Sequence, residues 1–122
     1  MKITAVRATP VNIPMEVPFY WSVGLYPGTS KTIIEIETDE GIIGIGEAPS
    51  WDCANVINKD MGPRLIGCDP LDITGCEMKC VPEWVVVQNT DDASVVKAFG
   101  GIELALWDIR GKAWNQPVYK LL

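Results

Sequence analysis

Apolar side chains recur at alternating steps of four and three residues near the carboxyl end of this 122-residue chain. The positions are Val95, Phe99, Ile102, Leu106, Ile109 and Ala113. This spacing places all six on one face of an α-helix. Asp92 or Ser94 is predicted to cap the start of the helix, and Asn115 followed by Pro117 to end it. Such a helix needs an apolar surface to cover its stripe, so the rest of the chain must supply a sheet or further helices.

Two tryptophans lie off this stripe, on the same predicted helix. Trp107 and Trp114 are one heptad apart and form a second apolar line. Two interpretations remain open: both rings pack under a neighbouring helix, or they form an interface with another domain or subunit. Gly100 and Gly101 each cost about 1 kcal/mol of helix stability relative to alanine, which indicates close backbone contact there. Asp108 and Lys112 have the spacing of a stabilising ion pair.

An antiparallel sheet is predicted ahead of the helices. Residues 31–38 alternate between isoleucine and glutamate, as in a half-buried strand. A turn at 38–41 leads to a second strand at 42–47, whose glycines indicate close packing. Residues 2–14 contain prolines and are predicted to form a strand near the sheet edge, which completes a three-stranded meander. Residues 15–30 show no clean period and are predicted to form mostly a long loop with short strand pieces.

Helices are predicted between the sheet and the apolar stripe. The first begins at Ser50 or Asp52 and is interrupted near Gly62 and Pro63. The second begins where Asp69 precedes a proline, which is a typical arrangement for a helix start, and ends near residue 81 because Pro82 follows. Residues 83–89 are compatible with either a strand or a buried helix.

Composition excludes several classes of function. The chain has 10 basic and 16 acidic residues, a net charge of −6 and no histidine. An acidic surface does not favour nucleic acid, and a Ser-His-Asp or Cys-His site cannot form without histidine. The beginning of the chain does not resemble a signal peptide, and no run is long enough to span a bilayer, so we expect a soluble cytoplasmic protein without membrane contact.

Four cysteines lack the C-x-x-C spacing of common zinc or thioredoxin-type sites. We therefore expect four reduced, partly buried thiols, with a metal or redox role as the less favoured interpretation. Neither catalytic nor metal-binding residues are identified in the chain.

Aromatic side chains are concentrated in two predicted loops. Phe19, Tyr20, Trp21 and Tyr26 lie in the first of them. Trp51 and Asp52 lie in the second, directly after the predicted hairpin. These residues either fold back on the sheet as a small additional core or cover a partner surface or a ligand. Composition alone favours the additional core.

Several stretches of this sequence resemble one known domain. They are residues 1–6, residues 38–48 with their Gly-x-Gly-Glu ending, residues 101–113 and residues 116–122, together with Asp69 and its following proline. The chain resembles the N-terminal capping domain of the enolase superfamily, in its mandelate racemase and muconate-lactonising branch, without the barrel domain. Residues 81–90 do not fit the resemblance well.

The resemblance implies an α+β fold, with a three-stranded antiparallel β-meander over about residues 1–48 followed by a small helical bundle over about 50–116. Residues 1–122 would then form a single capping domain. A separate barrel domain, absent from this chain, would bind Mg²⁺ and supply the bases that remove a proton next to a substrate carboxylate. The implied reaction is an acid-sugar dehydration or a racemisation, by a complete enzyme that is expected to be a homo-oligomer.

The resemblance also gives the aromatic residues a role. Phe19, Tyr20, Trp21 and Tyr26 match by position a loop that closes over the barrel mouth, and Trp51 and Asp52 match a second such loop. It therefore favours a capping role over the additional core and makes Trp107 and Trp114 candidates for the domain interface. The isolated chain is expected to be inactive. The alternative is a stand-alone α+β module that binds a partner protein through the aromatic loop.

Overall fold

The computed structural model describes residues 1–81 and 90–122 of the chain, with side chains described for 1–81 and 94–122. The alternatives predicted for residues 83–89 lie outside the described residues. No helix in the described part of the chain is long and apolar enough to cross a membrane.

Three strands form one antiparallel sheet in the order β1-β2-β3. They are β1 (Ile3–Trp21), β2 (Gly24–Thr38) and β3 (Ile43–Ala48). The predicted meander is therefore confirmed, with β1 at an edge as its prolines required. Gly41 has a φ of 78° in the turn between β2 and β3, a conformation that glycine adopts without steric cost.

The structure shows that the prediction of a long loop at 15–30 was wrong. β1 and β2 continue as a paired ribbon beyond the end of β3, with Phe19 opposite Tyr26 and Trp21 opposite Gly24. The ribbon has an irregular register between Pro14 and Phe19. Prolines are tolerated there because β1 is an edge strand and its outer N–H positions have no ladder partner.

Residues 50–81 and 90–122 contain four α-helices and two short helical segments. They are α1 (Cys53–Val56), a π-helical segment (Ile57–Met61), α2 (Gly62–Leu65), α3 (Ile73–Cys80), α4 (Thr90–Trp114) and a 3₁₀ segment (Val118–Lys120). The first three are continuous, so the predicted interruption near Gly62 was wrong. Pro63 lies inside this continuous stretch, directly after the π-helical segment, and its missing N–H removes one backbone hydrogen bond there.

Two predicted helix starts also differ from the structure. Asp72, rather than Asp69, caps α3, because its Oδ1 accepts a hydrogen bond from the Gly75 N–H at 3.0 Å. Asp69 instead accepts from the Leu71 N–H at 2.9 Å and forms the turn before the helix. The last helix begins at Thr90, ahead of the predicted caps. Its end before Asn115, which has a φ of 50°, is as predicted.

The core lies between the sheet and the predicted apolar stripe of α4. Ile34 and Ile36 of β2 are fully buried, and so are Ile102, Leu106 and Ile109 of α4. Val95 and Ala113, at the two ends of the stripe, are half-buried.

Helix α4 approaches β3 closely enough to exclude side chains at the contact. A Cβ on Gly46 would lie 2.1 Å from the carbonyl oxygen of Gly101, and a Cβ on Gly44 would lie 2.2 Å from that of Ala105. The helix runs antiparallel to the strand, because Gly46 faces the earlier helical residue. Close packing was predicted for Gly44 and Gly46, and the structure shows it. For the Gly100–Gly101 pair, which was also predicted to make close contact, only Gly101 does so.

Candidate functional site

The free end of the ribbon, residues 17–26, exposes a cluster of large apolar side chains, and we call it the ribbon tip. Tyr20 is 77% exposed, Phe19 58%, Trp21 50% and Tyr26 44%. Backbone pairing between β1 and β2 holds these side chains in place, although they extend away from the core. The four residues predicted for the first capping loop are thus brought together on one ordered element.

The rings of the ribbon tip enclose a small cleft. Trp21 and Tyr26 meet edge to face, with their centroids 5.2 Å apart and an interplanar angle of 68°. The cleft has a volume of about 180 Å³ and is lined by Met15, Phe19, Trp21, Tyr26, Gly28 and Thr29. Sites for small molecules usually measure about 300–1,000 Å³, so this cleft is too small and too open to enclose a ligand alone. It can supply one wall of a site whose other walls come from a partner.

The ribbon tip can contribute little electrostatic binding. Glu16 is the only Asp, Glu, Lys or Arg residue between positions 8 and 30. An anionic substrate would therefore find no cation here, and its charge would have to be neutralised elsewhere. The tip offers apolar contact and exclusion of water.

The second predicted loop lies at the same end of the sheet but does not join the ribbon tip. The Thr32 hydroxyl donates to the carbonyl oxygen of Ser50 at 2.8 Å, which fixes the segment after β3 beside the middle of β2. Trp51, the next residue, is 64% exposed. Gly24, the first residue of β2 at the free end of the ribbon, is eight residues from Thr32 and so roughly 27 Å away along an extended strand. Asp52 occupies the N-cap position of α1, and its side chain makes no capping hydrogen bond.

Trp107 and Trp114 share a partner within the domain. The Arg110 guanidinium lies 4.5 Å from the centroid of the Trp107 ring and 5.5 Å from that of Trp114. Arg110 also donates a hydrogen bond to the carbonyl oxygen of Leu71, in the turn before α3. Both rings thus contact the Arg110 side chain of their own helix, which in turn bonds to the turn before α3, and their packing under a neighbouring helix stays a prediction. Trp114 remains 51% exposed, so it also keeps surface for another domain.

Sequence reasoning missed an apolar groove along the outer edge of β3. It has a volume of about 460 Å³, and its apolar lining includes Ile33, Ile45, Leu104, Trp107 and Val118. Ile45 is 55% exposed and Leu104 54% exposed. The Ile-Gly-Ile-Gly sequence of β3 contains the signal that could have indicated this groove. Because α4 packs on the glycine face, the isoleucines must point to the opposite side.

Metal-ligating side chains are dispersed in the described part of the chain. Among the residues that the structure describes, no three His, Cys, Asp or Glu side chains converge to hold an ion. Mg²⁺ requires several oxygen ligands around one point, and the resemblance implies such a site in the barrel domain rather than in this chain.

Comparison with known proteins gives a match over nearly the whole chain. Residues 3–122 match the family model described as mandelate racemase/muconate lactonizing enzyme, N-terminal domain. The chain is 35% identical to N-succinyl-L-Arg/Lys racemase from Bacillus cereus over its full length, which is 33% of that protein. It is 33% identical to cis-3-hydroxy-L-proline dehydratase from Roseibium aggregatum, again over its full length and 34% of that protein.

The solved structures agree with the sequence comparison. The crystal structure of N-succinyl Arg/Lys racemase from Bacillus cereus superposes with a TM-score of 0.85 at 34% identity, over 99% of this chain and 33% of the other. The chain thus spans about one third of the length of the relatives it matches.

Proposed function

Because this chain belongs to the mandelate racemase/muconate lactonizing enzyme family, whose N-terminal domain it matches, we propose that it caps the active site of a complete enzyme of the enolase superfamily. The complete enzyme would remove a proton next to a substrate carboxylate and carry out a racemisation or an acid dehydration. In this proposal the ribbon tip closes over the substrate and selects its distal group, and Trp51 with Asp52 contributes at the same end of the sheet.

The ribbon tip is the observation that carries this proposal. Exposing four aromatic rings to water is unfavourable by about 25 cal/mol for each Å² of apolar surface, so the arrangement needs a compensating surface. The open cleft of about 180 Å³ also supports a compensating surface, because it can supply only one wall of a site and a partner must supply the others.

A barrel domain is the partner that we propose for this surface. The apolar groove along β3 and the exposed part of Trp114 provide a second contact area for that barrel. A small carboxylate substrate, the bases and any Mg²⁺ would be bound by residues of that barrel. The described residues contain no group of three His, Cys, Asp or Glu side chains that could hold a metal ion.

A chimeric enzyme would test the capping role. This chain would replace the matching N-terminal third of the Bacillus cereus racemase, and exchange of the substrate α-proton with solvent would be measured. We expect measurable exchange with the chimera and none with the isolated chain. We also expect Trp21→Ala to lower kcat/KM about tenfold or more, because water enters the closed site and the substrate is less well positioned.

Met78→Ala is the matched control for that variant. Met78 is 72% exposed on α3, away from the ribbon, and its removal should leave kcat/KM unchanged. A folded chimera with equal rates for the unmodified, Trp21→Ala and Met78→Ala forms would contradict a capping role of the tip. Proton exchange by the isolated chain would contradict the division of tasks between the two domains. Binding of an unrelated protein through the tip would favour a stand-alone interaction module.

A further inference from the structure

Two aromatic rings that line the cleft of the ribbon tip are steeply inclined to each other. The planes of Trp21 and Tyr26 make an angle of 68°, with the ring centroids 5.2 Å apart. Phe19 lies directly opposite Tyr26 in the ladder, so these two side chains are on the same face of the ribbon. The rings thus form a corner, in which a compact group can contact more than one of them at once.

The floor of this corner contains a position without a side chain. Gly28 lines the cleft, and a Cβ there would lie 2.8 Å from the carbonyl oxygen of Ile13, so a larger residue does not fit without a shift of the backbone. Met15 adds a flexible and polarisable thioether to the lining. With a volume of about 180 Å³, the cleft has room for a headgroup rather than for a whole ligand.

The electrostatics of the rings favour a cationic headgroup. The face of an aromatic ring carries partial negative charge and attracts an ammonium group that lies within about 6 Å of its centroid. Glu16 directly follows Met15 and is the only charged residue between positions 8 and 30, so no lysine or arginine of that segment competes for the rings. The net charge of the chain, −6, acts in the same direction.

The openness of the cleft favours an alkylammonium group over an uncharged alkyl group of the same shape. The alkylammonium group keeps its outer side in water while its methyl groups contact the rings, so it loses only part of its hydration. The uncharged group gains apolar contact alone, and an open cleft removes little of its surface from water. The difference between the two groups is the attraction of the ring faces for the positive charge.

We propose that the cleft of the ribbon tip binds an alkylammonium group, which contacts Trp21 and Tyr26 and is held by cation–π attraction. The binding site itself requires no other domain. Its use in catalysis rests on the proposed function: where the tip closes over a substrate, the alkylammonium group is the distal end of that substrate. The substrate class is then a carboxylate with a cationic distal group.

Choline and 3,3-dimethylbutanol are a matched pair of probes, because the second has carbon in place of the quaternary nitrogen and the same shape. Each would be titrated into the dilute ¹⁵N-labelled chain at constant ionic strength, balanced with sodium chloride, while the assigned indole N–H signal of Trp21 is followed. We expect a saturable shift with choline, and an affinity about fivefold or more above that for 3,3-dimethylbutanol. Equal affinities, or no shift with choline, would overturn the proposal without the need for any variant.

A substitution at Trp21 would test the role of the ring. Trp21→Leu keeps an apolar side chain but removes the ring face, so the affinity for choline, followed at the backbone N–H of Tyr26, should fall about fivefold or more. Trp114→Leu is the matched control, because Trp114 is 51% exposed against 50% for Trp21 and lies on α4, outside the ribbon. Choline binding should be unchanged in this control. Equal choline affinities of the two variants would also overturn the proposal.

The chimera described above tests the proposed function separately. Tip variants that leave the rate of the chimera unchanged, together with selective choline binding by the chain, would contradict the capping role and leave the cation site in place. An active chimera that depends on Trp21, together with equal affinities for the two probes, would overturn the cation site alone.

Discussion

Gly46 and Gly101 set the distance between β3 and α4 at the scale of single residues. A Cβ on Gly101 would lie 2.4 Å from Cδ1 of Ile34 and 2.9 Å from Cβ of Ala48, and a Cβ on Gly46 would meet the helix backbone. The contact is therefore tight from both sides. Sequence alone could indicate that a Gly-Gly pair in a helix has a packing reason, but it could not say which glycine is at the contact. That depends on the rotation of α4 about its axis.

Alanine substitutions should distinguish the two adjacent glycines. Gly101→Ala is expected to lower the free energy of unfolding by about 2–3 kcal/mol, because the added methyl group forces the helix away from the sheet. Gly100→Ala has open space around its Cβ and should raise stability by up to about 1 kcal/mol through higher helix propensity. Urea denaturation of both variants measures the difference. Equal destabilisation would show that the close contact is not present in solution.

At the scale of elements, the sequence predicted the parts that have one buried face. The half-buried strand before the turn and the stripe on α4 both show regular apolar spacing because the core covers one side of each. The free part of the ribbon shows no such spacing. Both of its faces are exposed along residues 17–26, so burial imposes no alternation of apolar and polar residues there. This is the physical reason why a paired ribbon was predicted as a loop.

Part of the candidate site was also predictable from the sequence. The concentration of aromatic residues identified the ribbon tip, and the family resemblance suggested its role. The groove along β3 could not be predicted, because the Ile-Gly alternation shows which residues allow close packing but not that the isoleucines and Leu104 together line a groove. Arg110 lies three residues after Trp107 and four before Trp114, so helical spacing places it between the two rings, but only the structure shows that its guanidinium contacts both.

Helix α4 also protects the free edge of β3 through polar contacts. Asp108 Oδ2 accepts a hydrogen bond from the Ile45 N–H at 2.8 Å and pairs with Lys112 Nζ at 2.7 Å. Lys112 Nζ also donates to the carbonyl oxygen of Ile43 at 2.7 Å. The predicted ion pair is therefore present, and it additionally occupies backbone groups that could otherwise pair with another chain.

Removal of this carboxylate should cost more than removal of an ordinary surface ion pair. Asp108→Ala is expected to lower the free energy of unfolding by about 1–2 kcal/mol, because the Ile45 N–H loses its acceptor together with the charge pair. Asp60→Ala breaks the other i,i+4 pair, with Arg64, and should cost less than about 0.5 kcal/mol. Chemical denaturation at low and moderate salt gives both values. Similar losses in the two variants would mean that Asp108 contributes only as a surface charge.

At the scale of the whole molecule, the isolated chain exposes an apolar patch that would favour self-association. We expect its sedimentation coefficient to rise with concentration in the micromolar range. Replacing Phe19 and Trp21 together with serine should suppress the rise, because the patch loses its largest rings. Met78→Ser, at a single exposed apolar residue on α3, should not. Association that persists in the double variant would assign it to another surface, such as the groove along β3.

The ribbon is supported at only one end, and this has a mechanical consequence. Beyond the end of β3 it consists of two strands only. The hydrogen bond between Thr32 and Ser50 fixes its base, and its tip is free. A rotation of about 5° at the base would displace the tip by roughly 2 Å over a length of about 27 Å. Small bends at the base are therefore sufficient to change van der Waals contacts at the tip, while the core remains unchanged. The length of the free ribbon sets the amplitude of that movement.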